Sequence, residues 1–264
     1  DLHDDDEDLR LDDEADDAED DGDERPQRIM LVTDAWEPQM NGVVRTLSRT
    51  VDECRAMGHQ IEVIHPGLGY KTFPLPTYPE IQLAINARGD IARRFKEFEP
   101  EAIHIATEGP LGQAARGICK KWGLPFTTSY HTKFPEYVHA RFPFIPLSAG
   151  YAFMRWFHNA SGRIMVTTPS MRDDLAARGF KNLTAWARGV DIELFNPDKR
   201  RVNGEDVYEG LERPIWVNVG RIAVEKNIET FLKLDLPGTK VVVGDGPQRE
   251  ELQERYPDAV FPGP

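Results

Sequence analysis

Arg221 and Lys226 are the side chains whose spacing speaks most directly of chemistry. Pro214–Val219 is a short apolar run rich in β-branched residues, the pattern of a buried strand. Gly220 allows the backbone to turn at its carboxyl end, and Glu225–Lys233 has a helical pattern with Ile228, Phe231 and Leu232 on one face. Two cations therefore fall in the loop and first turn of a strand–loop–helix unit. Helix starts favour acidic side chains, because the dipole there is already positive. Cations at that place point instead to an anion held between them and the free backbone N–H groups. For an isolated pair of this spacing, the competing reading is a solvated surface loop.

Other polar loops follow predicted strands. They carry Asp34 to Gly42, Thr107-Glu-Gly-Pro110, His131-Thr-Lys133 and Arg188-Gly-Val-Asp191. In open parallel sheets ligands gather at these carboxyl ends. Asn41-Gly42 before a helix would bring backbone N–H groups close to an anion, although alone the dipeptide is only a turn. His131 sits among Tyr, Lys, Phe and Glu; it is either an ordinary structural histidine or a loop residue with a function. Glu108 either caps a helix or binds a hydroxyl.

These loops require a frame, and the sequence alternates strand with helix. Strands are predicted at Arg28–Asp34, Gln60–His65, Ala102–Ala106, Pro125–Tyr130 and Arg163–Thr167, with a further candidate at Ile81–Ile85. Helices are predicted from Gly42 to about Met57, with Val44, Leu47, Val51 and Cys54 inward, and over Ile91–Phe98, Glu108–Trp122 and Ser148–Ala160. Gly58 suits a helix stop, and Ser170 is expected to cap a short helix ending at Gly179. Pro66–Pro79 and His131–Pro146 read as loops. The alternation argues an α/β fold with a parallel, doubly wound sheet. Residues 198–213 read as a linker. Beyond it Pro214–Pro264 begins a second α/β domain of 51 residues, short against the ~100–150 of a domain with its own core. The expected division is a disordered acidic tail over 1–26, a first domain over 27–197, the linker, and a partial second domain over 214–264.

The net charge of −13 belongs to the tail: residues 1–25 hold 16 acidic and 2 basic residues, leaving the body near +1. A nucleic-acid binder would need a basic stripe, which such a body does not supply. No Gly-x-Gly-x-x-Gly follows the first strand, no Gly-x4-Gly-Lys-Ser/Thr occurs, and no metal-ligand cluster is visible, which sets aside dinucleotide-dependent dehydrogenases, P-loop nucleotidases and metal sites. No apolar run approaches the ~20 residues of a membrane-spanning helix. Cys54 and Cys119 fall on apolar helix faces and are expected as buried free thiols, suiting a reducing cytoplasm.

Six stretches in order resemble glycosyltransferase family 4. They are Leu31–Leu47, Ile103–Gly112, Ser129–Tyr137, Arg188–Asp191, Val219–Asn227 and Val243–Pro247, and the resemblance covers Gln27 to Pro264. It points toward bacterial enzymes of the GDP-mannose-dependent α-mannosyltransferase and sulfolipid-type glycosyltransferase kind. The resemblance implies a GT-B architecture, a complete N-terminal Rossmann-like domain followed by a truncated second one. It also implies retaining transfer of a mannose- or glucose-type hexose from a nucleotide-sugar, a GDP- or UDP-hexose, to a lipid or saccharide acceptor. No cofactor or bound metal is implied beyond that donor.

Carried over by motif, Arg221 and Lys226 would neutralise the donor diphosphate, and Gly42 would admit diphosphate and sugar close to the backbone, with Asn41, Gly220 and Gly246 in the donor set. His131 would hydrogen-bond the transferred sugar. Asp34, Glu108, Lys133 and Arg188 would lie on the acceptor side. The family's Glu-x7-Glu helix would fall beyond Pro264, so the alternative to an enzyme is a non-catalytic fragment acting as a binding or regulatory module. Arg141–Leu147 and Arg155-Trp-Phe157 read either as a peripheral membrane contact at the inner face of the membrane or as aromatic packing.

Overall fold

The computed structural model describes residues 25–39, 41–75, 78–142, 144–187, 189–199 and 208–264. Residues 1–24 of the acidic tail and Arg188 lie outside this set. The described chain forms two compact units, one of the residues up to His131 with Phe153–Trp186, the other of Thr132–Ala152 with Ala187–Pro264.

In chain order the strands and helices that build the first unit are β1 (Arg28–Val32), α1 (Gly42–Ala56), β2 (Gln60–Ile64), β3 (Lys71–Leu75), β4 (Tyr78–Ile85), α2 (Arg88–Phe98), β5 (Ala102–Ile105), α3 (Pro110–Trp122) and β6 (Thr127–Ser129). After α4 (Phe134–Arg141), which belongs to the second unit, come α5 (Leu147–His158), whose carboxyl half returns to the first unit, β7 (Arg163–Val166), α6 (Pro169–Ala177) and β8 (Leu183–Ala185). Six strands form one sheet in the order β2-β1-β5-β6-β7-β8, every neighbour parallel. The order reverses at β1, so the loops after β1 and β5 flank the opening where ligands of such sheets bind. Both faces are covered, as a parallel sheet requires. Met30 and Val32 of β1 join Ile91, Ile105, Leu111 and Phe157 in one core, while Leu31 between them joins Leu47 and Val51 of α1 in another.

Several local expectations change. His131–Pro146 is not all loop: α4 forms within it, because Pro135 lies in the first helical turn, where its missing N–H has no partner to lose. The Pro66–Pro79 excursion holds β3, which pairs antiparallel with β4 outside the main sheet. The cap of α6 is Thr168 rather than Ser170: Pro169 takes the first helical position and the Thr168 hydroxyl accepts from Met171 N–H at 3.2 Å. Cys119 is fully buried, but Cys54 sits at the rim of α1 and is half-buried.

The second unit carries β9 (Ile215–Val219), α7 (Ile228–Leu232), β10 (Thr239–Val243), α8 (Arg249–Arg255) and β11 (Val260–Gly263). Its parallel sheet runs β11-β10-β9 and packs Val242 and Phe261 against Ile228, Leu232 and Leu252. The helix expected over Glu225–Lys233 is interrupted. Val224–Lys226 is a 3-10 turn, Asn227 adopts a left-handed φ of +47°, and α7 begins after it. Asparagine is among the few side chains that tolerate this conformation.

Two devices fix the loops. In the first unit Asp34, 5% exposed, reaches from β1 to the start of α3. Its Oδ1 accepts from Leu111 N–H at 3.0 Å, its Oδ2 accepts from Thr107 Oγ1 at 2.9 Å and from Gly112 N–H at 3.4 Å, and its own N–H donates to Thr107 Oγ1 at 2.7 Å. The clamp dictates the glycines around it: a Cβ on Gly109 would stand 2.4 Å from the Asp34 carboxyl carbon, and one on Gly112 1.9 Å from Thr107 O.

In the second unit the device is backbone alone. Gly220 N–H donates to Val243 O at 3.0 Å, Ile222 N–H to Asp245 O at 2.9 Å, and Gln248 N–H to Ile222 O at 3.1 Å. Gly244 and Gly246 make this approach possible, since Cβ atoms there would fall 2.0 Å from Gly220 O and 2.3 Å from Ile222 O.

Burial pushes the Asp34 carboxyl up to about 6 from 3.8, against the lowering effect of its amide and hydroxyl donors. The native state thus holds this proton more tightly than the unfolded chain. The associated stability is full below about pH 4 and is lost as pH rises through about 6. Urea unfolding between pH 4 and pH 7.5 should show wild type losing up to about 3 kcal/mol relative to Asp34→Asn across that window. Parallel curves would exclude the assignment. Gly244→Ala, at a φ of +141°, should destabilise the second unit by roughly 3 kcal/mol. Hydrogen exchange would then show the Gly220 and Ile222 amides deprotected while β1 and β5 stay protected.

Candidate active site

At the carboxyl edge of the first sheet, Asn41 caps α1, its Oδ1 accepting from Val44 N–H at 3.0 Å. Gly42 is the first helical residue, and a Cβ built there meets nothing within 4 Å. The backbone at this point is open to an approaching group. Asp34 is in the same loop but below the surface, with both oxygens engaged on α3. It holds the loops in place and does not present a carboxylate to the edge.

Glu108 lies between the Asp34 clamp and α3. Its Oε1 is 3.0 Å from Nε2 of His158, a fully buried residue, while the Glu108 side chain keeps 22% exposure. His158 Nδ1 is 2.9 Å from Thr128 Oγ1, which is 3.1 Å from Ser161 Oγ. On the opposite face of β6, His104 is held between Thr127 Oγ1 and Ser129 Oγ, each at 2.8 Å. Burial, with the neighbouring His131 adding to it, holds His104 down to about 3, so this ring is neutral. Trp186, after β8, packs edge-on to both imidazoles, with ring centroids 5.9 Å from His131 and 6.4 Å from His104. Asn41, Gly42, Glu108 and His131 thus all stand on loops at one sheet edge. An open hollow of about 370 Å³ lies to one side, on the outer face of α1. It is lined by Glu37, Gln39, Arg45, Ser48, Arg49 and Asp52, and by none of the predicted site residues.

In the second unit Arg221 is bracketed by the two hydrogen-bonded residues Gly220 and Ile222, so its Cα is fixed, and the residue is half-buried. Ile222 and Ala223 are buried, and the chain then turns so that Lys226 is exposed again at the end of the 3-10 turn. The two cations share one short loop, anchored at its middle by an apolar pair. Gly246, expected against the donor, serves with Gly244 as the close-packing element beneath that loop. Lys133 is exposed at the residue before α4, and Arg188 lies outside the described residues.

Of the aromatic stretches, Phe157 is core and Trp156 is half-exposed with the Arg116 guanidinium 3.9 Å from its ring centre. Phe142 and Phe144 are exposed, Phe144 at 80%. Sequence reasoning missed His158, Thr128, Ser161 and Trp186, and read Thr107 only as part of a loop. The one signal available was the hydroxyl run Thr127-Thr-Ser129 in what had to be a central strand.

Comparison with known proteins agrees with this arrangement. Residues 40–194 match the family described as Glycosyltransferase Family 4. The chain is 31% identical over 259 residues to a GDP-mannose-dependent alpha-mannosyltransferase of Corynebacterium glutamicum, covering 90% of this chain and 62% of that protein. It is 30% identical over 271 residues to the sulfoquinovosyl transferase SQD2 of Arabidopsis thaliana, covering 90% of this chain and 51% of that one. The chain therefore spans less than two thirds of the length of these relatives. Sucrose-phosphate synthase from Thermosynechococcus elongatus superposes with a TM-score of 0.63 at 16% identity, over 90% of this chain and 70% of that structure, a likeness of GT-B fold. With a family match over more than half its residues, on a fold of two parallel α/β units, the chain belongs to glycosyltransferase family 4.

Proposed function

We propose that the protein transfers a mannose- or glucose-type hexose, with retention, from a GDP- or UDP-hexose to a lipid or saccharide acceptor. The observation that carries this reading is the braced loop bearing Arg221 and Lys226. Departure of a nucleoside diphosphate from the anomeric carbon places growing negative charge on a phosphate oxygen. Cations already fixed in space stabilise that charge without reorganising during the step. The acceptor hydroxyl forms the new bond to the anomeric carbon as the carbon–phosphate oxygen bond breaks. Retention brings the acceptor to the face the diphosphate leaves, so the departing phosphate oxygen is within reach of the acceptor's proton.

Other residues take supporting parts. The open backbone at Gly42, with Asn41, admits the diphosphate and sugar, and His131 hydrogen-bonds the sugar's hydroxyls. Glu108 meets the acceptor, Lys133 and Arg188 are further candidates for acceptor contact, and Asp34 contributes by holding the β1 and β5 loops together. The proposed location is cytoplasmic, at the inner membrane face. No helix among the described residues is long and apolar enough to cross a membrane, so a lipid acceptor would be met from the surface. The exposed rings of Phe142 and Phe144 support such a contact.

Calorimetric titration with GDP, UDP and their hexose conjugates tests the donor. Binding of one nucleotide should weaken by roughly tenfold or more in Arg221→Ala and in Lys226→Ala, and hexose transfer should fall by about 10²-fold in each. A folded chain that binds no nucleotide would sink the enzyme reading for this polypeptide and leave the non-catalytic binding module. Sedimentation with anionic vesicles tests the surface contact: Phe142→Ser with Phe144→Ser should shift the protein from pellet to supernatant, and unchanged partition would remove the membrane role.

A further inference from the structure

Behind Glu108 runs a line of buried side chains that the transfer chemistry leaves unused. His158 closes α5 and is 0% exposed, with both ring nitrogens engaged, Nε2 toward Glu108 and Nδ1 toward Thr128. An ionised carboxylate only accepts, so Nε2 donates to it. The Thr128 hydroxyl serves Nδ1, and Ser161, which donates to His158 O at 2.7 Å, closes the line against the turn after α5. The ring plane is fixed by Phe157 edge-on at 5.1 Å and by Tyr130 at 5.6 Å. An apolar side chain would fill this part of the core without the desolvation cost of an imidazole and two hydroxyls. The end of the line that is not buried is the Glu108 carboxylate, 22% exposed, on the loop after β5 where the strand order reverses. A glutamate on a loop has three free side-chain torsions, and an imidazole locked on both nitrogens removes that freedom.

We infer that His158, completed by Thr128, is a positioning residue that aims Glu108 at a hydroxyl of a polyol acceptor, a sugar or sugar-bearing headgroup. The inference rests on the reading that the acceptor meets the first sheet's carboxyl edge. Its test pairs two titrations on the same preparations, methyl α-D-mannopyranoside by saturation-transfer NMR and GDP by calorimetry. His158→Phe should weaken the glycoside roughly tenfold and leave GDP within a factor of about two. His158→Gln should restore most of that loss, since its amide can donate to Glu108 and accept from Thr128.

A double-mutant cycle separates aiming from packing and does not need His158→Phe to fold. With Glu108→Ala in place, His158→Ala should change glycoside affinity no further although alone it weakens it roughly tenfold, whereas a purely structural histidine gives additive losses. Additive losses, or equal glycoside affinity in wild type and His158→Phe, overturn the inference alone. A wild-type chain that binds GDP but no glycoside overturns the acceptor assignment and this inference with it.

Discussion

The first unit depends on one buried carboxylate. An α-helix presents four N–H groups at its start without partners inside the helix, and the start of α3 faces the core edge where water cannot serve all of them. Asp34 supplies that acceptor from the neighbouring strand, so one side chain satisfies Leu111 and Gly112 and ties β1 to β5 through Thr107. The cost is a charge taken out of water, visible in the upward push on its titration. Much of the local sequence follows from the clamp: Gly109 because a Cβ would strike the carboxylate, Pro110 because the first helical position needs no N–H, Gly112 because Thr107 O lies against its Cα. Glu108 stands between two such fixed points, which is why its carboxylate can be aimed at all.

The second unit solves the same problem without a side chain. Arg221 and Lys226 are carried on one short loop, and that loop is held without a side-chain clamp. The structure instead locks the loop by backbone hydrogen bonds to the Val243–Asp245 stretch and buries Ile222 beneath it. Only glycine at 244 and 246 lets two backbones come that close. The backbone carrying the cations is thus placed by what lies under it.

Five of the six strands of the main sheet could be read from alternation in the sequence, because a parallel sheet covered on both faces leaves long apolar runs, whereas the three-residue β8 and the hairpin strand β3 were too short or too polar to show. The helices with strong faces, α1 and α3, were equally legible. What failed were features decided by a single local interaction. Pro135 signals a break or a helix start with equal force, so α4 was hidden. Asn227 fits a helix by composition and is left-handed in fact. Asp34 at a strand's end looks the same whether it meets a ligand or a helix. The cations and the Asn41-Gly42 turn could be singled out because each follows a predicted strand, whereas His158, a lone histidine inside a helical pattern, carried no signal.

The hydroxyl run of β6 shows how much one misfit can encode. A strand with neighbours on both sides and helices on both faces should be apolar, and Thr127-Thr-Ser129 is not. Side chains alternate between faces along a strand. Thr127 and Ser129 therefore reach one face, where they hold His104, and Thr128 reaches the other, where it holds His158. One three-residue strand orients two imidazoles on opposite faces: one is kept neutral beside His131 and Trp186, the other is set beneath Glu108. Apolar residues at these positions would serve the sheet at least as well, and three polar ones are costly unless each partner is met. Every hydroxyl of the run is met by an imidazole, and each imidazole leads to a loop at the carboxyl edge. The polarity of β6 is therefore explained by the two loops it steadies, with the sheet itself gaining nothing from it.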